Sequence, residues 1–172
     1  MSGNKTLDLC ILNAGILGPI ADMKNQSIEN LKKVMEINVW ANKPIIDTLI
    51  QTIPKIEKIV AISSGAAVNG NKGWGGYSIS KAALNMMIKL YAAENEEIKF
   101  YAFAPGLVDT AMQDYLCGRD LNSDTFPSAQ KLIAARNTPD MPKPFEAGAI
   151  LSKAIAKLHE YPSGSFVDVR KM

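Results

Sequence analysis

The 172-residue chain has one histidine, His159, and two cysteines, Cys10 and Cys117. Metal sites made of clustered His and Cys ligands are therefore excluded, and no C-x-x-C pair is present. Two lone thiols fit a reducing compartment. No G-x-S-x-G turn occurs, and His159 sits near the end of an expected helix, where a cation suits the dipole, so a serine hydrolase is excluded. No apolar run approaches the roughly 18 residues that a membrane helix needs, and the opening "MSGNKTLDL" lacks the apolar stretch of a signal peptide. A cytoplasmic location is expected. Charge of one sign is also missing: 19 Lys and Arg face 17 Asp and Glu, spread along the chain, for a net +2. That balance argues against nucleic acid or another polyanion as partner.

Hydrophobic residues make up 47% of the sequence, enough for one substantial core, and residues 1–172 read as a single domain. "LDLCILNAG" is an almost unbroken apolar run ending at Asn13-Ala14-Gly15, the pattern of a strand covered on both faces. Ser27 offers an N-cap to a long helix whose apolar stripe runs through Leu31, Val34, Met35, Val39 and Ile46, with Asn38 on the stripe and a kink expected at Pro44. Strands follow at Lys58 to Ser63 and Ile98 to Ala104, separated by a glycine-rich loop and a helix from about Tyr77 to Glu94. Residues 111–144 carry turn formers and short apolar clusters and read as a mobile helical flap over a site. A helix near Phe145 to His159 and a strand near Ser165 to Val169 close the chain. Alternating strands and helices give βαβ units, hence an α/β fold with a parallel sheet. In such sheets ligands bind at the carboxyl ends of strands, where Asn13, Ser63, Ser64, Pro105 and Gly106 fall.

Tyr77 and Lys81 are four apart on one helix and can point into the same space. An adjacent ammonium stabilises phenolate, which makes a tyrosine usable as an acid or base near neutrality. "GAAVNGNK", Gly65 to Lys72, is not a triphosphate loop: Asn71 separates the second glycine from the lysine, and Gly73 stands where Ser or Thr is required.

Asn13-Ala14-Gly15 after the first strand, Asn38 in the long helix, Ser64 thirteen residues before Tyr77, Tyr77-x-x-x-Lys81, and Pro105-Gly106 with Val108 and Thr110 together resemble the short-chain dehydrogenase/reductase family. "GILGPIADM", "WGGYSISKAALN" and "APGLVDTAMQ" are most similar to its sepiapterin-reductase and benzil-reductase branch. The resemblance implies a Rossmann-like sheet and reduction of a small-molecule carbonyl, with a dicarbonyl or pterin-like substrate and NADPH ahead of NADH. It makes Tyr77 the proton donor, and Lys81 the residue that lowers its pKa and bonds the nicotinamide ribose. Ser64 becomes the group that polarises the carbonyl, and Asn38 the holder of a water linking Lys81 to solvent. A second reading of Asn38 stays open, as a helix-kinking residue satisfying backbone groups beside Pro44. Asn13, Ala14, Gly15, Pro105, Gly106, Val108 and Thr110 are the implied cofactor contacts, together with Tyr77 and Lys81. Asp168 is a candidate substrate anchor, Ser63 is expected behind the sheet, and no metal is implied.

The family's opening strand and Thr-Gly-x-x-x-Gly-x-Gly turn do not occur here. The first strand matches the family's fourth, so a sheet of about four strands is expected, cofactor binding is in doubt, and Asp8 to Leu12 form an unpaired apolar edge. Two functions follow from the resemblance: a carbonyl reductase, or a non-catalytic remnant that acts as a dimerising interaction protein. A homodimer or higher homo-oligomer is implied through the long helices.

Overall fold

The computed structural model describes residues 5–118 and 125–172. Thr6–Leu7 (β1) and Lys55–Ile56 (β3) form a small parallel pair. The main sheet is parallel, in the order Cys10–Leu12 (β2), Lys58–Ile62 (β4), Lys99–Ala104 (β5), Phe166–Asp168 (β6). Helices Ile28–Met35 (α1), Asn42–Thr52 (α2) and Gly75–Glu94 (α3) come before β5; Ala111–Cys117 (α4), Pro127–Ala135 (α5) and Pro144–Ala156 (α6) come after it. This is the α/β architecture with a parallel sheet that the strand and helix pattern predicts, in the Rossmann-like form that the resemblance implies.

The two-residue period of the strands places the core. Ile59 and Ala61 of β4 and Phe100 and Ala102 of β5 pack with Val39, Ile46, Leu84 and Ile88 on one face. Val60, Tyr101 and Phe103 turn to the other face, against Ala154, Ile155 and Leu158. Successive side chains of a strand point to opposite sides, so both faces need a helical cover, and each buried Phe contributes about 1.5–3 kcal/mol. A third cluster, Leu17, Ile20, Trp74, Leu116 and Ala129, ties α4 and α5 to the carboxyl end of the sheet.

Several expectations are corrected. The run from Leu7 to Leu12 is not one strand covered on both faces: it breaks into β1 and β2, and Ile11 is 46% exposed. Among the described residues β2 pairs only with β4, so its outer side has no neighbour to bury it. The irregularity in the long helix lies upstream of Pro44, in a π-turn over Glu36–Trp40 closed by the Ala41 N–H donating to the Glu36 carbonyl at 2.8 Å. Pro44 falls in the first turn of α2, where its missing N–H costs little. Ser27 caps α1 as expected, accepting from the Asn30 N–H. Helix α3 begins at Gly75, two residues early, because the Ser78 N–H already reaches the Trp74 carbonyl at 2.8 Å. Of the expected flap, 111–144, the part 119–124 lies outside the described residues; α4 and α5 occupy much of the rest. No helix among the described residues is long and apolar enough to cross a membrane, and no cluster of His, Cys, Asp and Glu there can hold a metal.

Candidate active site

At the carboxyl end of the sheet, a cleft of about 280 Å³ is lined by Asn13, Gly15, Ser64, Tyr77, Lys81, Pro105, Gly106, Val108 and Thr110. Four chain segments converge because β2, β4 and β5 all run the same way and release their loops at one edge. Ala14 does not line the cleft. Asn38 lies behind it, fully buried.

The base of the cleft is a closed polar network. Asn38 Nδ2 donates to the Ile16 carbonyl and to Ser80 Oγ, both at 2.9 Å, while its Oδ1 accepts from the Ile16 N–H at 2.8 Å. Ser80 Oγ in turn donates to the Tyr77 carbonyl at 2.8 Å. Both Nδ2 hydrogens are thereby used, so Asn38 fixes the loop after β2 to the first turns of α3. Its backbone carbonyl accepts from Asn42 Nδ2 at 3.0 Å. The backbone groups that the Asn38 side chain satisfies are those of Ile16, not ones beside Pro44. Ser80, missed in the sequence, is the small hydroxyl at i+3 from Tyr77 that completes the link.

Lys81 is 3% exposed, and Nζ donates to the Ile62 carbonyl at 2.7 Å. An ammonium carries three donors, so two remain for the cleft. Burial pushes Lys81 down to about 8. Its Nζ lies 5.7 Å from the Tyr77 ring centre. The expected lowering of Tyr77 by Lys81 is not what the surroundings give. Burial pushes the phenol up, and the hydrogen bond with Ser64 offsets only part of that rise, because desolvation penalises the phenolate. Tyr77 thus holds its proton. Ser64, extended at the head of a short turn, also accepts from the Ala66 N–H at 3.1 Å. Ser63, expected behind the sheet, is buried but lines the cleft beside Ser64, with its hydroxyl donating to Asn85 Oδ1 at 2.5 Å.

Two glycines shape the cleft. A Cβ on Gly15 would stand 3.4 Å from both Asn38 Oδ1 and Lys81 Nζ, so glycine keeps open a cradle between them. Gly106 has φ of +76°, the left-handed turn that ends β5.

The opposite wall comes from α4, α5 and α6: Met112, Gln113, Leu116, Leu132 and Leu151, with Trp74. Polar ties hold it. Trp74 Nε1 donates to Ser128 Oγ at 2.7 Å, and buried Asp109 pairs with Lys143 at 2.5 Å and Arg136 at 2.9 Å. Asp168 departs from the anchor role the resemblance implied. Its carboxylate is occupied by Arg170, whose Nε lies at 2.9 Å and Nη2 at 2.5 Å, and Asp168 does not line the cleft. The group presented to an adjoining cavity of about 550 Å³ is the Arg170 guanidinium.

Residues 2–118 match the family model for short chain dehydrogenase. The chain is similar to an uncharacterized oxidoreductase of Schizosaccharomyces pombe, 40% identical over 111 residues, covering 62% of this chain and 44% of that protein. It is 31% identical over 169 residues to a benzil reductase ((S)-benzoin forming) of Bacillus cereus, covering 92% of this chain and 66% of that one. Among solved structures, a short chain dehydrogenase/reductase of Saccharomyces cerevisiae superposes with a TM-score of 0.79 at 22% identity, covering 95% of this chain and 66% of the other. The chain thus spans between 44% and 66% of the length of these relatives. With the match to more than half of its residues and this fold, the chain belongs to the short-chain dehydrogenase family.

Proposed function

We propose that this chain carries the proton-handling half of an oxidoreductase that reduces a ketone to an alcohol, with Tyr77 as general acid. The observation that carries the reading is Lys81: a buried ammonium with two unspent donors, beside a cradle that Gly15 keeps open and a phenol that holds its proton. Those residues fit the ribose end of a nicotinamide cofactor. Lys81 would donate to its hydroxyl oxygens, with Asn13, Pro105, Gly106, Val108 and Thr110 along its nicotinamide end, and NADPH ahead of NADH. When bound, such a cofactor supplies the hydride. Ser64 Oγ holds the carbonyl oxygen and polarises it, and Tyr77 Oη gives that oxygen its proton as charge develops there. The space between Lys81 and Asn38 has the lining a water needs to return the proton. Helices α4 and α5, the described part of the expected flap, cover the site as its wall. The benzil reductase among the relatives supports a dicarbonyl as first probe.

A second reading has its own observation. Ile79, Met86 and Leu90 form an exposed apolar stripe on α3, and Trp40, just before α2, and Ile45, on it, are exposed as well. A second copy of the chain covers this face in our reading, which serves a dimeric enzyme or a non-catalytic dimerising protein equally. Calorimetric titration of NADPH, followed by NADPH consumption with benzil, separates them. Micromolar binding with turnover that Tyr77→Phe abolishes supports the reductase. Absence of heat at millimolar NADPH, with the dimer intact, leaves the interaction role.

A further inference from the structure

The cavity of about 550 Å³ beside the cleft is absorbed by none of the roles above. It shares Ser64, Trp74, Gly106, Leu107 and Leu132 with the cleft, but Asn13, Gly15, Lys81 and Thr110 do not line it. It therefore opens from the Ser64 hydroxyl away from the end that our reading gives to the cofactor. Its charge is of one sign: Lys72, Lys131 and Arg170 line it, and none of its described lining residues is acidic. Two of these cations have partners outside the lining, Asp168 on the Nε and Nη2 edge of Arg170 and Asp22 at 3.7 Å from Lys72. Among the described residues no carboxylate pairs with Lys131. A guanidinium has five N–H donors and the Asp168 pair uses two, so the edge formed by Nη1 and the second Nη2 hydrogen remains, on a side chain 55% exposed. Gly65 admits that group, since a Cβ there would stand 2.9 Å from Nη2. Gly65 follows Ser64, and consecutive Cα atoms are about 3.8 Å apart, so Nη2 lies within about 8 Å of the Ser64 Cα.

We infer that the ketone taken by this site carries a carboxylate, bound by the Arg170 guanidinium with Lys131 and Lys72 around it. Asp168 fixes the plane of the guanidinium, and the remaining two-hydrogen edge matches the two oxygens of a second carboxylate, a fork that an ammonium does not offer. Three cations against Asp168 and Asp22 leave one positive charge, which one substrate carboxylate balances. Trp74, Leu107 and Leu132 line both spaces, so the carbon body between carbonyl and carboxylate lies against apolar surface. With a hydrogen bond of about 2.8 Å at each end, the span from Ser64 to Arg170 calls for a short methylene chain between the two groups.

The inference rests on the reading of the cleft as a ketone site, and its test is a binding measurement that needs no turnover. Dissociation constants for 3-benzoylpropionate and its methyl ester are measured by ligand-observed NMR at low salt on the 172-residue chain. The acid should bind about tenfold tighter than the ester, as a charge-assisted fork at a half-exposed site allows, and about 0.5 M salt should narrow the gap. Asp168→Asn combined with Arg170→Gln removes both charges of the pair and should erase the preference, whereas Arg170→Lys, which keeps the charge without the fork, should keep part of it. Equal binding of acid and ester, binding of neither, or a preference that survives the double substitution overturns the assignment. So does displacement of the acid by NADPH, because the cations would then be reading the cofactor's phosphates. Should the double variant not fold, exposed Lys131→Met decides: the acid should weaken about threefold with the ester unchanged, and an unchanged acid overturns the assignment. Failure of the reductase reading looks different: the acid preference stands, but NADPH is consumed neither with the acid nor with benzil.

Discussion

The two sides of the cleft are built on opposite principles. On the base, Asn38, Ser80 and Lys81 are nearly inaccessible, and the polar atoms of Asn38 are matched to backbone or side-chain partners across 22 and 42 residues of sequence. On the α4 wall the lining is mostly apolar, Met112, Leu116 and Leu132, and the buried Gln113 Oε1 has no hydrogen-bond partner among the described residues. The fully paired amide of Asn38 holds its loop where a repeated reaction needs it, while the Lys81 ammonium, tied once to the Ile62 carbonyl, keeps donors for what enters the cleft. In our reading the base handles the proton and the apolar wall shapes the space above it.

The largest effect that could break this comparison comes from Tyr77→Phe. Deleting one oxygen should lower turnover about a thousandfold while melting stays within a degree or two, since general acid catalysis is typically worth that much. Steady-state rates and a thermal melt decide it; retained turnover removes Tyr77 from the chemistry. Next in size is Asn38→Leu, which strands the Ile16 N–H and carbonyl together with Ser80 Oγ. Denaturant unfolding should show a loss of about 2–4 kcal/mol. A loss under about half a kcal/mol would mean that the base is not a structural unit, and the contrast with the wall would collapse.

How much of this was legible in the sequence differs between the two sides in the same way. The base announced itself through local pattern: a phenol and an ammonium four apart on one helix, and an amide on an apolar stripe. The strands β4 and β5 were equally plain, because runs buried on both faces leave no alternation to misread. What pattern could not show was competition between partners. Asp168 looked available until Arg170, two residues on, occupied it, and Pro44 looked like the kink until the π-turn formed upstream. Gln113 had no signal at all, since being unpartnered is a property of three-dimensional surroundings. The first strand of the main sheet carried two expectations, an unpaired apolar edge and a run covered on both faces, and only the first holds, because its neighbours, not its residues, decide whether Ile11 is covered.

Lys81 offers a sharper probe of the base through pH. The folded chain holds this proton less tightly than the unfolded chain, where lysine titrates near 10.4, since burial brings it to about 8. Between those values the unfolded state binds more protons, so stability rises with pH, and below about pH 8 the burial penalty is present in full. Unfolding free energy should therefore climb by about 2 kcal/mol from pH 8 to 9.5 relative to Lys81→Met. Parallel curves for the two proteins would place the ammonium in contact with water and undo the argument for a dry base.

The smallest change reaches the junction of the two sides. Gly15 is outside the left-handed region, so Ala can adopt its backbone, and the new Cβ would meet Lys81 Nζ and Asn38 Oδ1 at 3.4 Å, ordinary van der Waals contact. Gly15→Ala should thus fold with a stability change within about 0.5 kcal/mol. The methyl nevertheless occupies the cradle between the amine and the amide, the space our reading gives to the proton's return path and the cofactor ribose. Turnover should fall about tenfold, the lower range for losing one element of acid–base catalysis, and the Kd for NADPH should rise with it. The two readouts separate the occupants: a fall in kcat with unchanged NADPH affinity assigns the cradle to water alone. An enzyme indifferent in both would show that Gly15 serves only the close packing of the loop, and the paired base would then end at Lys81 rather than reach the cleft floor.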